Sequence, residues 1–369
     1  TDVVVLSNVF TGWFFDNDPG LADIKTEGVD DKISGFFDGG VQVRNSKYLD
    51  LPMKGYADHH STKAQVIQQI SATAGTDVPF LDKTLAWGST PEANMKAALD
   101  IIFQHQNLAP FIAKQMIQRL VTSNPGPLYV QRVATAFKNS NWGMQALIRA
   151  ILLDDEARNT TKAEASTTYG KLREPLMRVT HLFRAFNATA TAVRLEIDGT
   201  SDVSGPPEAR QYYLNQSPLS SPTVFNFFSP SYQYPSGAMA PLNKVAPEMQ
   251  LASEAAVIAY INAVGRLIEE GIGSQWDKYT AWKKIMPDLT AEVALAAWPD
   301  SPTTAQKAAA ADAVASAINR KLFGGGMSAP LKDYLISVLT GAGAPASALA
   351  RVQTALLLAA VSSEYLVQK

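Results

Sequence analysis

Residues 215–235, NQSPLSSPTVFNFFSPSYQYP, break an otherwise helical chain. Pro218, Pro222, Pro230 and Pro235 cannot continue a helix, because each lacks an N–H donor and clashes with the preceding turn, and none can sit in a central strand. From Tyr212 to Tyr234, a span that begins just before this stretch, the chain carries seven aromatics. A segment this apolar and this irregular has to be a fixed loop folded over something, not a free linker. Phe225, Phe227 and Phe228 read as core filling a gap between helices, each contributing roughly 2 kcal/mol of burial. Tyr212, Tyr213, Tyr232 and Tyr234 read as a candidate aromatic surface, with flat faces that suit a sugar or an aromatic ligand.

Around that loop the periodicity is helical. Thr90-Pro91-Glu92 is an N-cap, a proline at the first helical position and an acid in the first turn. The helix it opens runs to about His105, with Met95, Leu99 and Ile102 predicted inward. Asn107 caps a second helix with a Leu108, Ile112, Met116, Leu120 row. Two more follow over residues 128–138 and 142–157, the latter turning Leu147, Ala150 and Ile151 inward. Short connections between four short helices indicate a bundle. Residues 171–186 predict a helix with one stripe of Leu172, Leu176, Val179, Phe183 and Phe186. Residues 247–271 predict one long buried helix, and 289–298, 303–323, 330–339 and 347–367 four further helices. Gly324-Gly325-Gly326 reads as a helix stop. The N-terminal segment predicts a helix capped by Thr1 with Val5, Leu6 and Val9 on its apolar face. The expected fold is all-α, an irregular multi-helix bundle with long ordered loops and minor β-structure. It is one helical domain over 1–369, with a loop-rich entry (1–89), a bundle (90–186), an insertion with the aromatic loop (187–246) and C-terminal helices (247–369).

Composition excludes several classes of function. A net charge of −2 and the lack of any basic run give no electrostatic case for nucleic acid. The chain has no cysteine, which removes disulfides, thiolate metal sites, iron–sulfur clusters, haem attachment and cysteine nucleophiles together. No apolar run approaches the roughly 20 residues of a transmembrane helix. There is no G-x-S-x-G, no phosphate-binding glycine loop and no H-E-x-x-H.

What remains is a short set of polar candidates. The chain has four histidines, His59, His60, His105 and His181. His59 and His60 diverge on any regular structure, so one of them can face a pocket while the other is solvated. His105 ends one helix just before the next begins. It reads either as a helix-end cap stabilised by the dipole, or as a partner of His60 in one cleft, where a neutral imidazole serves as base or metal ligand. Arg173 and Arg184 share a face of the 171–186 helix, where planar forks of donors suit a carboxylate, sulfate or phosphate, or pair with acids of a neighbouring helix. His60, Lys63, His105, Arg119 and Arg173 together make up the expected polar cleft. Asp16, Asp18 and Asp23 space carboxylates as calcium prefers, although the EF-hand pattern fails and a solvated turn is the default reading.

Several segments also resemble, in the same order, those of a bacterial family described as a domain of unknown function, number 1800. They are TDVVVLSNVFTGW, DHHSTK, FQHQNLAPFIAKQMIQRLVTSNPGPLYVQRVATAF, KLREP, NQSPLSSPTVFNFFSPSY and the ending SSEYLVQK. The resemblance falls on His60 and Lys63 and runs over essentially the whole chain, which is similar to the family's C-terminal two-thirds. It implies an exported protein, periplasmic or extracellular. It also implies an upstream region rich in Glu, Arg and His as a separate or removed partner, and an exported alkaline-phosphatase-like protein as a neighbour. The expected role is therefore a cell-envelope or extracellular binding or assembly component. The alternative is a metal-dependent or His-based hydrolase of an anionic or glycan substrate, with a divalent metal open as its cofactor.

Overall fold

The computed structural model describes residues 2–11, 13–14, 53–55, 65–66, 70–71, 78–85, 87, 90–159, 169–189, 214–216, 221–223, 226–235, 241–271 and 285–369. Among these there are thirteen α-helices and four two-stranded antiparallel ladders. The all-α expectation holds. The chain divides into two units, 1–111 and 112–369, at a point inside a single helix of what the sequence predicts as one bundle.

The first unit opens with α1 (Asp2–Val9), whose Val5 and Val9 are buried while Val3 stays 81% exposed. Strands β1 (Trp13–Phe14) and β2 (Lys54–Gly55) pair, as do β3 (Gln65–Val66) and β4 (Ile70–Ser71), and β5 (Val78–Phe80) and β6 (Lys83–Leu85). Leu81 and Asp82 turn the last hairpin with positive φ at both positions, the mirror-type turn that matches strand twist. The Leu81 N–H donates to Asp2 Oδ1 at 3.1 Å, tying that turn to the start of α1. Helix α2 (Pro91–Gln104) begins as predicted, with the Thr90 side chain accepting from Ala93 N and Pro91 in the first turn. Its buried face differs from the prediction. Asn94, Ala98 and Ile101 point inward, Met95 and Ile102 flank the core, and Leu99 is 42% exposed. Small Ala98 is thus buried in the cluster in place of the larger Leu99.

Helix α3 (Leu108–Leu120) shows the same one-residue rotation, burying Ala109, Ala113 and Ile117 and leaving Leu120 exposed. α4 (Pro127–Asn139) and α5 (Met144–Leu153) form a hairpin around Tyr129, Val133, Leu147 and Ile151, and the Tyr129 hydroxyl donates to Ile151 O at 2.7 Å. The predicted 142–157 helix breaks at Asp154, which caps the short α6 (Asp155–Arg158).

The predicted 171–186 helix needs a larger correction. Lys171–Leu172 is strand β7, and α7 (Pro175–Ala185) starts only at the proline. Proline pre-organises the first helical position and holds the residue before it extended, so Arg173 and Glu174 lie outside the helix. Arg173 and Arg184 therefore do not share a helical face, and Arg184 is exposed. Likewise, 247–271 is a 3₁₀ turn (Pro247–Leu251) followed by α8 (Glu254–Glu269), whose Ser253 side chain accepts from Ala256 N.

The remaining helices are α9 (Thr290–Leu295), α10 (Thr304–Phe323), α11 (Ala329–Thr340), α12 (Ala348–Val361) and α13 (Ser363–Leu366). A break at Ser362 and strand β8 (Val367–Gln368) end what the sequence predicts as one helix. β8 pairs with β7, Lys171 opposite Gln368 and Leu172 opposite Val367. The core of this unit runs through Val179, Leu182, Phe186, Tyr260, Val264, Val314, Ile318, Leu356 and Tyr365.

Candidate functional site

A helix ends with carbonyls that have no partner of their own, and the C-terminus of α3 gathers partners from distant parts of the chain. Lys171 Nζ donates to Arg119 O at 2.6 Å, and Gln368 Nε2 donates to Leu120 O at 3.0 Å. The Thr122 hydroxyl donates to Gly170 O and accepts from Gly170 N. Gly170 has a φ of +108°, and a Cβ there would lie 2.5 Å from Gln368 O, so only glycine lets the terminal strand come this close.

Around this anchor lies a buried ion pair. Lys171 Nζ and Glu248 Oε1 are 3.2 Å apart, with side chains only 5% and 2% exposed. Ser123 Oγ stands 3.5 Å from Glu248 Oε2. Gln118 Nε2 donates to Ser123 O at 3.0 Å and to Pro230 O at 3.2 Å. Arg119 pairs with Glu174 at 3.2 Å and lies over the Phe228 ring at 4.2 Å. Gln216 Nε2 donates to Glu174 Oε2, and Gln216 Oε1 accepts from Leu176 N. Asn124 bonds both the N–H and the carbonyl of Val245. A cavity of about 10 Å³, lined by Gln118, Arg119, Phe228, Pro230, Pro247 and Glu248 among others, leaves room for about one water. Each charged group here already has a partner. The arrangement holds five chain segments in register and shields a Lys–Glu–Ser cluster from solvent.

The predicted site residues fall in different places. His60, Lys63, Asp16, Asp18, Asp23, Tyr212, Tyr213 and Phe225 lie outside the described residues. His105 belongs to the first unit and is the C-cap of α2. Its N–H donates to Ile102 O, and its Nδ1 accepts from Asn107 N at 3.2 Å. With Leu81, Ile102, Asn107, Leu108 and Phe111 it lines a hollow of about 150 Å³ in that unit. Arg119 belongs to the polar hub of the second unit, while Arg173 turns away from the hub and donates through Nη1 to Tyr365 O at 2.8 Å. Tyr232 and Tyr234 are half-buried. Of the loop phenylalanines, Phe228 is buried and Phe227 is partly buried.

Sequence reading did not single out Gln118, Thr122, Ser123, Lys171, Gln216 or Glu248. They are ordinary polar types scattered over more than a hundred positions. A signal was nonetheless present: most of them fall in or beside the segments RLVTSN, KLREP and NQSP. Among the described residues no three His, Asp or Glu side chains gather as a metal site.

The model of a family described as "Protein of unknown function (DUF1800)" matches residues 1–367, so the chain belongs to that family. No curated protein and no solved structure matches it.

Proposed function

For this DUF1800 member we propose the role of a cell-envelope or extracellular binding or assembly component, working through contact with another polypeptide. The carrying observation is an apolar stripe on the outer side of the α4–α5 hairpin. Met144, Ile148 and Leu152 recur one helical turn apart and are exposed, and Leu128 of α4 is exposed as well. α8 shows a second apolar group in Val257, Ile258 and Ile261. The polar hub, by contrast, is closed and internally paired, as a structural frame would be. A bacterial exported location, periplasmic or extracellular, is part of the same proposal and rests on the family resemblance. No helix among the described residues is long and apolar enough to cross a membrane.

Fractionation of the bacterium that makes the protein, with a photo-crosslinking amino acid in place of Ile148, tests this reading. The expected result is protein in the envelope or medium and one discrete adduct that disappears on Leu152→Asp. Cytoplasmic protein with no adduct would overturn it. Turnover of a phosphate ester or glycoside without any adduct would favour the hydrolase alternative instead, with His105 beside its hollow as the first residue to replace.

A further inference from the structure

Arg351 of α12, 3% exposed, shows how this fold satisfies a buried guanidinium. Its Nε and Nη2 donate to Ala296 O, its Nη1 donates to Pro345 O and Ala346 O, and its face lies 3.5 Å from the Trp298 ring centroid. All three nitrogens are used.

Arg178 of α7, 8% exposed, is different. Among the described residues only its Nε finds an acceptor, Arg173 O at 2.7 Å. Its guanidinium lies 4.9 Å from the Tyr260 ring, and that of Arg173 lies 4.9 Å from the Tyr365 ring. Beyond the Arg173 Nη1 bond to Tyr365 O, the Nε and Nη2 of Arg173 and both Nη of Arg178 meet no protein acceptor among the described residues. No carboxylate pairs with either arginine there. Glu174 is held by Arg119 and Gln216, and Glu364 by Ser328. The tyrosine hydroxyls are also committed, Tyr365 donating to Arg178 O and Tyr260 to Ala360 O. His181, one turn on from Arg178, stacks flat on Tyr365 at 5.7 Å. Burial and the charge of Arg173 hold its imidazole below the usual histidine range, so it is neutral at pH 7 and adds a polar edge without a third charge.

Arg178 is thus buried and Arg173 half-buried, and among the described residues neither charge has a counter-charge, an arrangement that a bound anion would complete. We propose that Arg173 and Arg178 form a binding site for a phosphate group, free or as a monoester, with His181 at its edge. Four guanidinium nitrogens on two separate forks suit a tetrahedral oxyanion better than a planar carboxylate, which one fork would satisfy. The paired charge also matches a phosphate that carries about −1.5 to −2 at neutral pH.

Thermal unfolding of the full chain with inorganic phosphate, glycerol 3-phosphate, sulfate or acetate, each against potassium chloride at equal ionic strength, tests the site. The expected result is a saturable rise in Tm with phosphate or its monoester, with affinity reduced at least tenfold in Arg178→Gln and in Arg173→Gln. Tighter binding of the monoester would identify an esterified ligand, and equal or weaker binding free phosphate. Should Arg178→Gln fail to fold, Arg173→Gln decides, because its side chain lies outside the helix and is partly exposed. Phosphate acting no more strongly than chloride, acetate or sulfate binding as well as phosphate, or wild-type affinity in the Arg173 variant would each overturn the proposal.

Discussion

At the residue scale, the Lys171–Glu248 pair joins β7 to the 3₁₀ turn at Pro247–Leu251 with both side chains almost wholly buried. Removing one member strands the other charge in a dry interior, at a cost of about 3–5 kcal/mol, whereas replacing both with apolar groups removes the desolvation penalty as well. Urea denaturation should therefore show a large loss for Lys171→Met, and a substantial recovery when Glu248→Leu is added. Equal losses for the single and double variants would show that the pair is not coupled. A second prediction concerns Tyr365, whose phenol is pushed up to about 12 by burial, against the nearby charges of Arg173 and Arg178, which pull it down. The fold favours the neutral phenol, so unfolding releases a proton above the ordinary tyrosine value of about 10. Stability from this source is complete below about pH 10 and is lost as pH rises towards about 12, with a slope of at most about 1.4 kcal/mol per pH unit for one group. Tyr129 and Tyr260 are raised by burial too and steepen the same decline. Alkaline titration of stability should show a shallower slope in Tyr365→Phe; an unchanged slope would assign the decline to other groups.

Among the elements, the best anticipated are those whose ends are set by local chemistry. α10 begins with the reciprocal Thr303–Gln306 capping box and ends at Gly324 with a φ of +60°. Nothing lies within 4 Å of a Cβ built on Gly324, so Gly324→Ala meets only the left-handed backbone penalty of roughly 1–2 kcal/mol. Gly343 is equally open and has no positive φ, so Gly343→Ala should be close to neutral. Similar losses in the two variants, measured by thermal unfolding, would refute the backbone explanation. Elements whose limits depend on distant partners were less legible. Lys171 and Leu172 are compatible with helix, and only their pairing with Val367 and Gln368 makes them a strand. The buried faces of α2 and α3 are each rotated by one residue from the most apolar row, with small Ala98 and Ala113 fully buried in place of larger neighbours. Hydrophobicity ranks residues by their liking for oil, while packing selects by size. The hub was hidden for a related reason. Its members, Gln118, Lys171, Gln216 and Glu248, come from separate segments and no short spacing links them, although the segments themselves stood out. Arg178 was obscured differently, as a charged residue buried beside an otherwise apolar stripe.

Across the whole molecule, the two apolar clusters formed by the described residues differ in size. Among the described residues the first gathers seven buried apolar side chains around Val9 and Ile101, and the second twenty-five around Ile318 and Leu356. Burial contributes about 25 cal/mol for each Å² removed from water, so the smaller cluster has far less to set against the entropy of ordering its backbone. Local opening should follow this difference, since segments with few buried contacts open at lower free energy than those in a large core. Native-state hydrogen exchange should therefore find the amides of Ala98 and Ile101 in α2 exchanging at lower opening free energy than those of Ala355, Leu356 and Ala359 in α12. Substitution should follow the same division. Leu356→Ala, at a site with no exposed surface, should lower the protection of α12 by about 2–5 kcal/mol and leave α2 nearly unchanged. Protection in α2 equal to or above that in α12 would show that the first unit draws stability from somewhere other than its own apolar cluster.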